Sequence, residues 1–269
     1  MELTPGCSGL SKMKYRIFIP IFTLLFVICS AGTGNVTKAG NDLVLRKSLK
    51  FNAGGSFDSF VDQLFVACKL EHSGMKKAIF RKALVGYLNI KNNNLLQDNP
   101  ILSVIDYSKA STEKRLWIID LKDKKVLFHS LVAHGRKSGD NLAINFSNKL
   151  NSNMSSLGFY KTGKVYFGKH GKSLVLHGLD KNYNSNAEGR SVVIHAADYV
   201  CEDFIKTNGR LGRSHGCPAV SPEESEQIIQ LIAGGSCLFI FHPDLKTARS
   251  EYLNETSAIR FYSKQANVF

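Results

Sequence analysis

The periodicity of apolar positions changes several times along this chain, and each change marks a structural element. The first feature has no period. Ile17–Ile28 is an unbroken apolar run of 12 residues, preceded by Lys12, Lys14 and Arg16 and followed by the small residues Ser30, Ala31 and Gly32. It is shorter than the ~20 residues a bilayer span needs. Positive flank, short apolar core and small-residue exit describe a secretory signal peptide over residues 1–31, cut after Ala31. Cys29 as a lipid-attached N-terminus and an uncleaved anchor are the alternatives. Residues 32–55 are polar and Gly-rich and read as a flexible leader.

A helical period begins at residue 56. Phe57, Phe60, Val61, Leu64, Phe65 and Cys68 share one face, with Ser56 as N-cap and Asp58 in the first turn. Ile79, Phe80, Ala83, Leu84, Tyr87 and Leu88 form a second such face, so residues 56–100 read as an N-terminal helical element ending in the loop 92–100.

From residue 101 to 243 the texture is that of strands. Ile101–Tyr107, Arg115–Leu121 and Lys125–Ala133 are rich in β-branched, leucine and aromatic residues. The second and third of these predict a hairpin about Lys122–Lys124. Val165–Phe167, Leu174–His177, Val192–His195 and Ser236–Phe241 are further candidate strands, and 182–189 is a polar loop. Tyr199–Thr207 suits a short helix. Ser221-Pro222-Glu223-Glu224 is a helix start with Ser as N-cap and Pro at the first helical position, and Gly234-Gly235 ends that helix. Residues 244–269 read as a polar C-terminal tail. The expected class is mostly β (α+β), with the helical element ahead of the sheet.

Charge widens the choice of partners before chemistry narrows it. Lys plus Arg is 35 and Asp plus Glu is 22, a net +13. Nucleic acid, acidic membranes and anionic polymers all remain open on that count. An exported chain argues against nucleic acid and limits membrane contact to the signal segment. Export also removes three basic residues and Glu2, leaving +11. Oligomeric state is not legible in the sequence.

Six cysteines are too few and too dispersed for a disulfide framework. Cys68, Cys201, Cys217 and Cys237 lie beyond residue 31, and Cys237 sits in the apolar run CLFIF as a small core residue. Cys217 differs. It stands two residues after His215 in Ser214-His215-Gly216-Cys217-Pro218, just before the well-capped helix. A free thiol of pKa ~8.5 is only a few per cent thiolate near neutrality, and neighbouring cations or a base raise its reactivity. Gly216 permits a tight turn, and backbone N–H groups in such a loop suit a developing oxyanion. His195 ends the apolar strand SVVIH, and His177 ends SLVLH. Any one of these histidines alone reads more plainly as structural; three converging on one cysteine loop argue for a site.

Ile194-His195, 18 intervening residues and then Ser214-His215-Gly216-Cys217 resemble the signature of YkuD-type L,D-transpeptidases. The stretches STEKRLWIIDL, LVAHGRKSGD, FSN, SSLGFY, LVLHGLD, NSNA and GRLGRSHGCPAVS are similar to the murein L,D-transpeptidase catalytic-domain subfamily called YkuD-like 2. The resemblance covers roughly residues 50–243. Ala196 stands where the general pattern has Gly, and Pro218-Ala219-Val220 replaces its commoner apolar-Asn continuation.

The resemblance implies a β-sandwich or barrel-like catalytic domain over 101–243. It implies Cys217 as nucleophile, His195 as general base, His215 at the cleft and backbone donors around Gly216. It also implies acyl transfer on peptidoglycan stem peptides without metal or cofactor, in the periplasm or cell envelope. His177, Ser214, Arg213 and Arg190 are candidates for contact with substrate, since guanidinium pairs bidentately with carboxylate. Three other readings stay open: an L,D-carboxypeptidase using water, a zinc site built from His177, His195, His215 and Cys217, and a catalytically silent wall-binding module.

Overall fold

The computed structural model describes residues 56–245 and 250–266; the signal segment 1–31 and the leader 32–55 lie outside them. Helix α1 spans Phe57–Ala67, and its N-cap Ser56 Oγ accepts the Ser59 N–H at 3.2 Å. Helix α2 spans Lys77–Asn92. Both bury the faces that the helical period predicts. α2 contains Gly86, which is worth about 1 kcal/mol less than Ala in a helix. The reason is packing: a Cβ there would lie 1.9 Å from the Phe159 ring.

The strands are β1 (Ile101–Asp106), β2 (Leu116–Asp120), β3 (Lys125–Ser130), β4 (Gly158–Gly168), β5 (Gly171–Gly178), β6 (Val193–Ala196), β7 (Ala219–Val220) and β8 (Cys237–Phe241). They form one mixed sheet in the order β3-β2-β1-β8-β4-β5-β6-β7. β1 and β8 pair in parallel at its centre. Every residue of both is buried, which explains why neither shows the apolar–polar alternation of a half-exposed strand. The sheet nearly closes on itself. Beyond β3 the chain reaches Ala133, whose N–H donates to Ala219 of β7 at 2.8 Å, joining the two ends.

Three differences from the sequence pattern have physical causes. β4 begins at Gly158, well before Val165, because Gly158–Lys161 pairs with β8, while an irregularity between Thr162 and Val165 breaks the alternation. Helix α3 (Glu202–Asn208) starts later than Tyr199, since the backbone of Cys201 is still extended. Glu255–Ala266, polar in composition, forms helix α5. A small apolar face carries it: Tyr262 stacks on Phe60 at 4.7 Å and meets Phe57 edge-on at 5.7 Å. Helix α4 (Pro222–Ile232) starts as its capping residues predict, with Ser221 Oγ accepting the Glu224 N–H. No helix among the described residues is long and apolar enough to cross a membrane.

Candidate active site

β6 lies between β5 and β7, and its register sets His195 opposite Ser173 on one side and Ala219 on the other. Cys217 precedes Ala219 by two residues, so the base candidate and the thiol emerge from neighbouring strands. Both line one cleft of about 380 Å³, together with Ser214, His215, Arg190 and Arg213. Its opposite wall is the turn of the β4–β5 hairpin, with Tyr166, Lys169 and His170, and Tyr199 from the loop after β6.

The thiol loop is held from beneath. Ser214 N–H donates to His134 O at 3.0 Å, and Arg136 N–H donates to Ser214 O at 2.7 Å. Ser214 Oγ accepts the Gly216 N–H at 3.0 Å and donates to Cys217 O at 2.6 Å, closing a tight turn. Ser155 Oγ accepts the Gly135 N–H at 3.0 Å and donates to Gly216 O at 3.1 Å. Gly216 has φ +129, and a Cβ on it would stand 2.8 Å from Met154 O, so the turn requires glycine. The N–H of Gly216 is thereby taken by Ser214. Among the described residues no hydrogen-bond acceptor engages the N–H of His215, and that of Cys217 faces its own sulfur.

The free cysteines among the described residues are Cys68, Cys217 and Cys237. Burial pushes Cys68 up to about 11 and raises Cys237 further, which suits inert core thiols. Cys217 is half-buried, and desolvation leaves it raised as well, offset only in part by the Val193 backbone, Arg190 and Lys169. Its S–H donates to Ser191 O at 3.7 Å rather than to a histidine. His195 is 3% exposed. Its Nδ1 lies 2.8 Å from Ala196 O, so Nδ1 carries the proton and Nε2 keeps its lone pair. Burial holds His195 below the usual histidine range, and the neighbouring His170 and Lys169 act in the same direction. The arrangement is a thiol and a neutral imidazole in one cleft.

The other sequence candidates divide. His215 is exposed and lines the cleft. Arg190 lines it as well, but its guanidinium donates to Ser147 O, Ser156 Oγ, Ser152 Oγ and Met154 O, clamping the segment that lies against Gly216. Arg213 is ion-paired to Asp140 at 2.5 Å. His177 does not line the cleft; its Nδ1 faces Glu188 at 3.1 Å. Among the described residues no three His, Cys, Asp or Glu side chains converge as a metal-holding group. Asn184, a loop or substrate residue by its type, is fully buried. Its Nδ2 donates to Leu157 O and Phe159 O, and its Oδ1 accepts the Asp180 N–H.

Sequence reasoning did not find the pair beneath the loop. Arg115 is fully buried and donates through Nη2 to His134 Nδ1 at 2.8 Å and to Val132 O at 2.9 Å. Its charge is further met by the face of Tyr107, 5.0 Å away. Burial and Arg115 together hold His134 down to about 4. The sequence carried a signal in LVAHGRKSGD, although periodicity assigned it no role. His170 was also missed: Gly168-Lys169-His170-Gly171-Lys172 loosely resembles a phosphate loop but lacks the G-x-x-x-x-G-K-[ST] pattern, so the stretch is set aside on sequence grounds.

The edge of the sheet thus presents a thiol and a tautomer-locked imidazole to one cleft, the two groups that a thiol nucleophile and its base would need. Comparison with known families gives the finer assignment. Residues 71–241, more than half of the chain, match the family model of the L,D-transpeptidase catalytic domain, and the chain belongs to that family. No curated protein matches it. Among solved structures, an L,D-transpeptidase from Mycobacterium smegmatis is 13% identical with a TM-score of 0.34, covering 53% of this chain and 59% of its own. One from Stackebrandtia nassauensis is 17% identical with a TM-score of 0.32, covering 59% and 65%. The helical cell shape determining protein Pgp2 from Campylobacter jejuni is 16% identical with a TM-score of 0.36, covering 70% and 63%. The chain thus spans about three-fifths of the length of these structures, and the assignment rests on the family match.

Proposed function

We propose that this chain is a cysteine-dependent L,D-transpeptidase acting on peptidoglycan stem peptides. The observation that carries the reading is the shared cleft of Cys217 and His195, with His195 Nε2 left free by the Nδ1 bond to Ala196 O. His195 takes the Cys217 proton once the thiol turns away from Ser191 O. The sulfur attacks the carbonyl of the diaminoacyl residue linked to a terminal D-Ala. The N–H groups of His215 and Cys217 receive the oxyanion, since Gly216 is committed to Ser214. His195 returns the proton to the leaving D-Ala nitrogen, and a thioester remains on Cys217. An acceptor amine then attacks the thioester and restores the thiol; water in its place gives the L,D-carboxypeptidase outcome. Ser214 holds the turn, and Arg213 at the cleft wall meets the substrate's carboxylates. His177, turned to Glu188, has no part in this proposal.

No cofactor enters this chemistry. The substrate and the apolar run 17–28 support export to the periplasm or cell envelope; an N-terminal mass beginning after Ala31 would test that. Incubation with a disaccharide-tetrapeptide, followed by mass spectrometry, tests the activity. D-Ala release with a cross-linked dimer is expected. Absence of both D-Ala and shortened stem from the wild type, or equal product from Cys217→Ala, would overturn the proposal. A carbapenem is expected to acylate Cys217, with a mass shift that Cys217→Ala lacks.

A further inference from the structure

We propose that His170 is a positioning residue for His195: from the turn of the β4–β5 hairpin it caps the base's ring, shields it from water and sets the pH at which it becomes available. The inference rests on reading His195 as the base. The two imidazole rings stack with centroids 4.4 Å apart and planes 24° apart. His170 itself is exposed, whereas His195 beneath it is 3% exposed, and both line the cleft. The turn is built to deliver the ring. Gly168 and Gly171 are paired across it, Gly171 has φ +71, and only Lys169 and His170 lie between. The Nδ1 bond to Ala196 O fixes one edge of His195, and the stack fixes its plane. Stacking engages ring faces, so the Nε2 edge is left open.

The charges about His195 are few. The hairpin turn supplies His170 and Lys169, the segment before β6 supplies Arg190, and the loop after α3 supplies Arg213, His215 and Cys217; Ser173 and Ala219 flank it in the sheet. A proton on His170 opposes a second positive charge on His195, and the covering ring removes the water that would solvate it. Both effects keep His195 neutral to lower pH.

His170→Phe keeps the cover and removes the charge; His170→Ala removes both. In the full chain, the NMR titration of the His195 ring, assigned by its absence in His195→Gln, is expected to move up by about half to one pH unit in His170→Phe. It should move further in His170→Ala. The acid limb of D-Ala release should follow, with KM changed less than kcat. Identical His195 titrations in the three proteins would overturn the proposal, as would an acid limb that stays in place while the resonance moves. A wild type that releases no D-Ala but shows the resonance shift would count against the acyl-transfer reading alone, with the shift still supporting the stack.

Discussion

Gly216 and His134 each carry a consequence that a single substitution reads. Gly216→Ala forces a side chain into a φ of +129, against Met154 O, at a cost of about 1–3 kcal/mol. Because the displaced backbone is the one that presents the thiol, alkylation of Cys217 by iodoacetamide is expected to slow along with the loss of stability. A normal alkylation rate with normal stability would show that the turn tolerates a Cβ. His134 makes a prediction about pH. Folded, it titrates near 4 rather than at the ordinary 6.5. Between those values the unfolded chain binds a proton that the folded one refuses, so stability falls as pH drops through that window, by up to about 3 kcal/mol. Above 6.5 this contribution is complete and flat. His134→Gln should flatten the slope of urea-unfolding free energy between pH 6.5 and 4; an unchanged slope would mean that burial and Arg115 do not hold that ring below its ordinary range.

The elements show how two helices reach a sheet. Gly86 on α2 leaves room for Phe159, which stacks on Phe239 of β8 at 4.3 Å. Gly86→Ala should improve local helix propensity yet destabilise the protein by about 1–3 kcal/mol, because the methyl overlaps the ring. Thermal unfolding decides between the two signs. α5 closes the other side of the helical element. Tyr262→Ala is expected to cost about 3 kcal/mol, since the residue is 4% exposed and stacked on Phe60. A change under 0.5 kcal/mol in the same measurement would mean that α5 is not part of the cooperative unit. These packing roles were only partly legible in the chain. The apolar faces of α1 and α2 were plain from their period. α5 was not, because one buried tyrosine and one buried alanine leave a weak stripe among polar residues.

Across the described residues the sheet is nearly closed, and its two ends meet beside the thiol. The Ala133–Ala219 bridge joins the segment beyond β3 to β7, and the small apolar cluster of Leu131, Ala133, Val200, Leu211 and Ala219 packs under that seam. The net charge, +13 over the whole chain and +11 without residues 1–31, belongs to the same scale. On the proposed function it favours retention on an anionic wall. Co-sedimentation with purified cell walls should therefore weaken as ionic strength rises toward 1 M, where the screening length falls to about 3 Å. Binding that ignores salt would assign retention to the cleft instead.

The sequence by itself determined what depends on local order. Helix starts at Ser56 and Ser221, the central strands, the Ser214–Cys217 loop and its likeness to one catalytic family all follow from neighbours along the chain. Capping, period and turn chemistry act over a few residues. The tertiary structure alone decided what depends on convergence. It turned His177 aside toward Glu188, committed Arg190 to the carbonyls under Gly216, buried Arg115 against His134 and laid His170 over His195. These contacts join residues 11 to 43 positions apart, and only the folded sheet with its loops brings their backbones within reach.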